Sequence, residues 1–378
     1  MGTWNGVELV GTELRGHGLW LRAPEARDAT TVAAGMADPA MAAHWLRVPQ
    51  PYTLADAEEF VAGAGGDADR GTGMTLAVVP DGAEQIVGAA NLRLPDRNNV
   101  RAEIGYSVYP FGQGHGYAAA ASRLLAEWSF DHGVASVLIC CSVLNLASAK
   151  TALNAGFHYE GTARDALPLP HPMSDHAMFG RTRSDPDAAV ARAFTALPNG
   201  GLTDGTIRLR AVGLEDTEAW IDDHDNLEQQ RWAFAEHTPM STEAAQRRIA
   251  DAALAWLVGN SATMAILDLG TGDTGGFITV RKAGPPAVGG IGYSVRPAFR
   301  GRAFTARALR LVRAWALTDG GFHRLELGAK AANMASQRAA LSGGFTPDGV
   351  RAERLRNPDG SFSDEVRFAS LTPSTDPH

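Results

Sequence analysis

The sequence contains little cysteine and lysine and lacks long apolar runs. Its two cysteines, Cys140 and Cys141, are adjacent. That spacing fits neither a disulfide framework nor a metal-binding motif, so we expect both to be small strand residues. The absence of any run of about 18 apolar residues argues against a transmembrane helix. The first residues also lack the basic segment and apolar stretch of a secretion signal. These absences predict a cytoplasmic protein without a membrane partner.

Basic charge is also scarce, with 34 Lys and Arg residues against 42 Asp and Glu residues and a formal net charge of −8. Because nucleic-acid binding requires a basic surface, we expect no nucleic-acid partner. The acidic balance is compatible with a cationic or amine substrate. Motifs for nucleoside triphosphates, zinc hydrolysis, serine hydrolysis and dithiol chemistry do not occur. The sequence therefore indicates no metal and no nucleotide triphosphate.

The most informative stretch is 103–118, which combines a strand, a glycine loop and a helix start. Apolar residues alternate at 104, 106 and 108 as in a strand, and glycines follow at 112, 114 and 116. The residues from Ala118 to Phe130 have helical spacing. Free N–H groups at a helix start and the helix dipole favour an anion, and glycine allows its close approach. The stretch predicts an anion-binding loop, although many strand–helix turns carry glycines.

A second copy of this stretch lies at 290–305. The segment Ile-Gly-Tyr-Ser-Val recurs unchanged, and each copy continues with a helix, a strand and an Asn-x-x-Ser motif. A Gly-Phe pair then follows the serine at the same distance in both. So many ordered matches indicate duplication of a whole domain. The matched residues are Pro110 and Pro297, Trp128 and Trp315, Asn145 and Asn333, Ser148 and Ser336, and Phe157 and Phe345.

This order of motifs resembles the GNAT superfamily of N-acetyltransferases. Its loop signature, Gln/Arg-x-x-Gly-x-Gly/Ala, is matched by Gln113, Gly116 and Ala118. The repeated Leu-Arg-x-x-x-x-x-Asp opening is similar to the RimJ/RimL branch, which acetylates protein N-termini and various small amines. The resemblance covers nearly the whole chain. It implies an α/β fold class, a mixed sheet flanked by helices, as a tandem duplication of the GNAT acyl-CoA N-acyltransferase fold.

The resemblance also implies how the expected cosubstrate, acetyl-CoA, is held. Pantetheine is expected against the 104–108 strand and pyrophosphate in the 112–118 loop, mainly on main-chain N–H groups. The side chain of His115 is expected to face solvent. The expected cofactor-binding residues are Tyr106, Val108, Gln113, Gly114, His115, Gly116, Tyr117, Ala118 and Asn145. The corresponding residues of the second copy are Val295, Arg300, Gly301, Ala303, Thr305, Asn333 and Ser336.

Two side chains of the first copy are candidates for catalysis. Glu103 begins the strand beside the expected acetyl group, where a carboxylate can accept the proton of an incoming amine. The alternative is a solvated strand-end glutamate. The resemblance implies that Ser148 donates to the CoA sulfur and that Asn145 contacts CoA. The alternative for both residues is capping of the following helix, and for Asn145 both interpretations can hold together.

The second copy departs from the signature. Gly290 replaces the glutamate, while Ala303 and Thr305 replace the small loop residues. An alanine is tolerated at 303 only if the backbone there does not need a positive φ. We therefore expect the second copy to be catalytically silent, with a structural role or a role in shaping the acceptor site.

The acceptor region is less defined by sequence. Trp45 and Tyr52 lie where this superfamily covers the acceptor, and either is equally compatible with a core position. In the second copy an acidic run occupies the matching region, consisting of Asp222, Asp223, Asp225 and Glu228. A solvated helix face is the simpler interpretation of that run. The alternative is attraction of a cationic acceptor.

The expected organisation is a catalytic domain at 1–184, a linker at 185–204, an accessory domain at 205–371 and a disordered tail at 372–378. A helix from Pro186 to Leu197 is predicted within the linker. The leading hypothesis is direct acetyl transfer to a primary amine of a small molecule or peptide, by a monomer or homodimer. One alternative is a non-catalytic acyl-CoA- or ligand-binding regulatory protein. Another is transfer of a different acyl group, or to an oxygen acceptor.

Overall fold

The chain divides into two compact units, residues 1–191 (unit 1) and 192–378 (unit 2). Among the described helices, none combines the length and apolarity that a bilayer crossing requires. Trp45 and the tail from residue 373 lie outside the described residues. The computed structural model describes residues 3–42, 48–49, 51–95, 101–166, 175–192, 194–232 and 237–372.

Unit 1 consists of a short hairpin followed by a sheet with helices on both faces. Its strands are β1 (Thr3–Trp4), β2 (Val7–Glu8), β3 (Leu14–Gly16), β4 (Leu19–Arg22), β5 (Gly73–Pro80), β6 (Gly88–Arg93), β7 (Arg101–Val108), β8 (Ser136–Ser142), β9 (His158–Ala163) and β10 (His176–Thr182). Its helices are α1 (Ala29–Met36), α2 (Pro39–Ala42), α3 (Leu54–Gly63), α4 (Gly66–Arg70), α5 (Tyr117–Asp131) and α6 (Leu146–Asn154).

Unit 2 repeats the strand order of unit 1 from the third strand, β3, onward. Its strands are β11 (Leu202–Thr203), β12 (Ile207–Ala211), β13 (Ser261–Asp268), β14 (Thr274–Lys282), β15 (Val288–Val295), β16 (Arg324–Lys330), β17 (Thr346–Arg356) and β18 (Phe362–Leu371). Its helices are α7 (Thr217–His224), α8 (Leu227–Gln230), α9 (Thr242–Leu257), α10 (Phe304–Ala316) and α11 (Met334–Ser342).

Each unit contains one mixed sheet of eight strands. The order is β3-β4-β5-β6-β7-β8-β10-β9 in unit 1 and β11-β12-β13-β14-β15-β16-β18-β17 in unit 2. Only the pairs β7–β8 and β15–β16 are parallel among the described ladders. A parallel connection needs a crossover, which α5 and α10 supply. The predicted fold class, a tandem duplication of mixed sheets flanked by helices, is confirmed.

A bidentate ion pair fixes the start of the first long helix in each unit. Arg22 donates to both carboxylate oxygens of Asp28 at 2.7 and 2.9 Å, and both side chains are buried. Arg210 and Asp216 repeat the pair at 2.7 and 2.8 Å. Such fork-shaped contacts are geometrically specific. The repeated Leu-Arg…Asp pattern therefore clamps α1 and α7 onto their sheets.

Local capping signals in the sequence define further helix starts. Thr53 and Asp56 form a capping box at α3, with the Thr53 N–H donating to the Asp56 carboxylate at 2.7 Å. The Thr-x-x-Asp spacing therefore marks the start of this helix. The Gly- and Asp-rich segment 63–73 has the composition of a loop but contains the short helix α4.

The predicted helix from Pro186 to Leu197 is wrong, because the described residues of this segment form no helix. The Val190 N–H donates to the Leu153 carbonyl at 2.9 Å rather than to its own segment. Phe194 is buried in the core of unit 2, stacked near Trp315. Long-range contacts therefore determine this backbone, and residues on its two sides pack on different units.

Candidate active site

The sheet of unit 1 opens into a wedge between β7 and β8. Their registered pairing covers only 101–103 against 136–138, whereas β7 pairs with β6 along 103–108. Beyond Glu103 the two parallel strands diverge, and the edge of 104–108 faces the opening. Unit 2 has the same wedge, since β15 and β16 pair only at 288–290 against 324–326. An extended ligand can therefore lie along either strand edge.

A glycine loop leads from the wedge to the first turn of α5. Gly114 has φ +83° and Gly116, the N-cap of α5, has φ +80°. This left-handed region strongly favours glycine. A Cβ added at Gly116 would meet no heavy atom within 4 Å, so the space above it is open. The first N–H groups of α5, including those of Tyr117 and Ala118, belong to the turn that has no intrahelical acceptors. Together they form an anion cradle.

The side chains of Gln113 and His115 hydrogen-bond to main-chain carbonyls of the preceding strand and of the loop itself. The Gln113 side-chain amide donates to the Val108 carbonyl at 3.1 Å and thereby ties the loop to the end of β7. Its counterpart Arg300 does the same through Nε to Val295, also at 3.1 Å. The His115 ring is exposed and contacts the Gln113 carbonyl through Nδ1 at 2.9 Å. The Gln113 and Arg300 side chains therefore position the loop.

On the α5/α6 face of the sheet, a hydroxyl pair lies at the wedge. The Tyr106 hydroxyl is 2.9 Å from Ser148 Oγ and 3.1 Å from the Ser148 carbonyl, bridging β7 to α6. Burial raises the pKa of Tyr106, so this phenol remains protonated at neutral pH. Burial also raises the pKa of the adjacent Cys141 thiol to about 12. The pair is a partly buried cluster of hydrogen-bond donors.

Asn145 is the N-cap of α6. Its Oδ1 accepts from the Ser148 N–H at 3.0 Å. Asn333 and Ser336 repeat this cap at 3.0 Å in unit 2. The capping interpretation of both asparagines is thus confirmed, while their contact with CoA stays a prediction.

Glu103 lies on the opposite face of β7, since strand residues alternate. Its side chain is 44% exposed and contacts Arg93 at 3.3 Å across the ladder. Cys140 and His176 lie on the same face through the β7–β8 and β8–β10 registers. Burial lowers the pKa of His176, an effect that Glu103 partly offsets. No sequence motif marks His176, because only strand order brings it to the face that carries Glu103.

A cavity of about 120 Å³ also lies on the Glu103 face. Apolar side chains of α1 and α3 form its roof, together with Tyr52, whose pKa burial raises. Thr75, Asn91 and Ser107 supply polar groups from the sheet below. Asn91 Oδ1 also accepts from the Gly105 N–H at 3.0 Å. The sequence predicts that Tyr52 lies near the acceptor, but it does not predict the polar groups that the sheet contributes to the cavity.

Unit 2 keeps the hydroxyl pair but differs from unit 1 in the loop and at the position of the carboxylate. Tyr293 lies 2.8 Å from Ser336 Oγ. Gly301 has φ +74°, but Ala303, the N-cap of α10, has φ +59°. The position therefore does adopt a positive φ, and its alanine carries strain that glycine avoids. Thr305 follows in the first turn of α10. The carboxylate of Glu103 has no counterpart at Gly290.

The acidic run of unit 2 is a solvated helix face only in part, since Asp222 and Glu228 are exposed whereas Asp223 is buried. Asp222 pairs with Arg296 at 2.6 Å, and Glu228 pairs with Arg300 of the loop. Asp223 is buried, and burial raises its pKa. These contacts tie α7 and α8 to the loop and the end of β15, so most of the acidic charge is neutralised internally.

A family model described as acetyltransferase (GNAT) domain matches residues 18–158 and 206–346. The chain belongs to the GNAT acetyltransferase family. The two matches include the wedge and loop of both units, so the family assignment applies to each. The predicted RimJ/RimL-like GNAT resemblance is confirmed at the level of the family.

Several individual proteins are similar to parts of this GNAT chain. YdaF of Bacillus subtilis, named as a candidate ribosomal N-acetyltransferase, is 34% identical over 25% of this chain. The chain spans about half the length of this curated relative, 51%. A ribosomal-protein-S5-alanine acetyltransferase from Vibrio fischeri is 15% identical over 47% of this chain and 99% of its own, with TM-score 0.42. Mycobacterium smegmatis RimJ with CoA-disulfide is 23% identical over 46% and 88%, with TM-score 0.40.

Proposed function

We propose that this GNAT protein is an acetyl-CoA-dependent N-acetyltransferase in which unit 1 carries out the reaction. The observation that carries the proposal is the wedge of unit 1, which has an open glycine cradle at one end. A hydroxyl pair lies on one face of the wedge, and a carboxylate and a cavity lie on the other. Direct transfer in a ternary complex mainly requires positioning, which such a wedge provides.

The loop 112–118 would hold the pyrophosphate and the edge of 104–108 would hold the pantetheine. When bound, acetyl-CoA supplies an acetyl thioester to the acceptor amine. Gly116 leaves room for a phosphate, and the first turn of α5 offers its N–H groups and helix dipole. Gln113 keeps this loop attached to β7 while contributing no charge of its own.

Proton transfers would be divided between the two faces of β7. On the cavity face, Glu103 accepts the amine proton directly or through water, and the neutral His176 nearby is a second acceptor. On the other face, Ser148 Oγ donates to the leaving sulfur, oriented by the Tyr106 hydroxyl at 2.9 Å. The thioester carbonyl carbon gains the amine nitrogen and loses the sulfur, so the products are an N-acetylated acceptor and CoA.

The cavity favours an acceptor with a small or apolar group beside its amine. Its roof is apolar, and the polar groups Thr75, Asn91 and Ser107 are uncharged. A carboxylate or phosphate next to the amine would find no cationic partner among these lining residues. Because YdaF is named as a ribosomal N-acetyltransferase, N-terminal peptides of ribosomal proteins are the first acceptors to test.

The test is release of CoA thiol from acetyl-CoA in the presence of an amine panel, with mass spectrometry of the products. Amino-terminal peptides with small first residues are compared with their N-blocked forms and with polyamines and aminoglycosides. We expect acceptor-dependent CoA release and an acetylated product. Tight acetyl-CoA binding without turnover on any acceptor would contradict the proposal and favour the regulatory alternative.

A further inference from the structure

A cluster of two histidines and one aspartate lies outside the wedge in unit 2. His224 ends α7, Asp225 follows it, and His237 precedes α9. One ligand atom from each of the three lies within 4.8 Å of the others. In unit 1 the equivalent positions are Met36, Ala37 and Pro49, because the spacing from Asp28 to Thr53 equals that from Asp216 to Ser241. The cluster therefore belongs to unit 2 alone among the described residues.

The distances within the cluster match those around one tetrahedral zinc ion. Zinc–ligand distances of about 2.0–2.1 Å place two ligand atoms roughly 3.3 Å apart. His237 Nε2 and Asp225 Oδ1 are separated by 3.6 Å. Two imidazoles on one such ion have ring centres about 5 Å apart. The rings of His224 and His237 are 5.3 Å apart and inclined by 41°.

Backbone groups orient two of the three side chains. His224 Nε2 lies 3.2 Å from the Thr238 carbonyl, so donation there leaves Nδ1 as the unprotonated, metal-binding nitrogen. The Asp225 carboxylate accepts from the Met240 N–H at 3.2 Å. Metal-binding histidines and carboxylates typically have such outer contacts, which fix ring orientation and ligand direction. His237 is half-buried, with 25% of its side chain exposed, so water can reach this side of the cluster.

We propose that His224, Asp225 and His237 form a binding site for a divalent first-row transition metal, with Zn²⁺ as the reference ion. Two imidazoles and one carboxylate suit zinc and disfavour Mg²⁺ and Ca²⁺, which prefer oxygen ligands. Solvent at His237 supplies the remaining coordination position. The metal ties the end of α7 to the segment that leads into α9, on the face where unit 1 has its cavity.

The first test is metal content of the full-length chain without an affinity tag. The protein is equilibrated with Zn²⁺ by dialysis, and its metal content is measured by elemental mass spectrometry. The affinity for Zn²⁺ is measured by competition with a chromogenic chelator. We expect one zinc per chain. His237→Ala should weaken binding at least about tenfold. The matched control is His323→Ala, which removes an exposed histidine of the same unit and should leave binding unchanged.

A second test measures thermal unfolding with Zn²⁺ or Mg²⁺ added. Zinc should raise the Tm of the wild type and of His323→Ala but not that of His237→Ala or His224→Ala, and magnesium should have no effect. Circular dichroism checks that each variant is folded. A wild-type protein that binds no zinc would overturn the proposal, and the cluster would then be an ordinary His–Asp ion pair. Equal zinc binding by both cluster variants would also overturn the proposal.

Discussion

The loops of the two units share one backbone course but differ in what surrounds it. In unit 1 the loop has glycines at both left-handed positions and an exposed histidine. In unit 2 Ala303 occupies one left-handed position, and Arg302 pairs with the buried Asp268 at 2.6 Å while lying over Phe304. The first loop is open to an anion, whereas the second is held by its own charges. Duplication kept the backbone course of the loop and changed the side chains around it.

A packing exchange beneath these loops shows how the shape survived. In unit 1 Val87 packs on Gly112, where an added Cβ would lie 2.8 Å from the valine Cβ. In unit 2 the sizes are reversed, with Gly275 facing the buried Phe299. Interiors are close-packed, so a large residue on one side requires a small one opposite. The two units thus reached the same loop position through complementary substitutions.

The largest difference between the units should appear on loop substitution. Gly116→Val places a β-branched residue at φ +80° and crowds the open cradle. The free loop can relax to relieve strain of about 1–3 kcal/mol, and regaining the cradle on binding would then lower acetyl-CoA affinity roughly 5- to 150-fold. Thr305→Val in unit 2 should leave activity unchanged. Isothermal titration and CoA release check both, and activity lost only with Thr305→Val would reverse the assignment of the catalytic unit.

Serine replacement should distinguish the units next. Ser148→Ala removes the hydroxyl beside Tyr106, and we expect kcat to fall about 100-fold with little change in acetyl-CoA affinity. Ser336→Ala removes the same contact in unit 2 and should not alter kcat. The measurement is steady-state kinetics on one acceptor. Equal losses in the two variants would mean that both units turn over.

The proton acceptor should be revealed by the pH profile. A base works only when deprotonated, so activity should fall as pH drops through its pKa. Because burial lowers the pKa of His176, a limb due to this residue would lie below its usual value of about 6.5. If Glu103 is the base, Glu103→Gln should lower kcat about tenfold and remove the acid limb of the pH profile. If that limb persists in Glu103→Gln and disappears in His176→Gln, the histidine is the base instead.

The smallest effect concerns backbone strain at the N-caps. Ala303→Gly relieves roughly 1–2 kcal/mol of left-handed strain but makes the unfolded chain more flexible. We therefore expect unit 2 to gain about 0.5 kcal/mol in free energy of unfolding. Gly116→Ala should destabilise unit 1 by a similar amount. Urea unfolding measures both, and a loss of stability in Ala303→Gly would show that the strain argument fails there.

Much of the fold could be predicted from the sequence because its signals are local. The alternation at 104–108, the glycines before α5 and the Thr53 cap each act within a few residues. Repetition of these signals then revealed two domains. The local signals of 186–197 predict a helix that does not form. Phe194 is instead buried in the core of unit 2, and the Val190 N–H donates to Leu153 of α6.

The sequence by itself determined the duplication, the wedge strands, the glycine loop and the Asn-x-x-Ser helix starts. Only the tertiary structure decided which face of the sheet each side chain occupies and which residues it contacts. Strand alternation places Glu103 and the Tyr106–Ser148 pair on opposite faces of β7, and strand order brings His176 to the face that carries Glu103. The tertiary structure also pairs two carboxylates of the acidic run of unit 2 with arginines more than 70 residues away. Local pattern fixes conformation, whereas distant pairing sets burial and charge, the quantities on which chemistry depends.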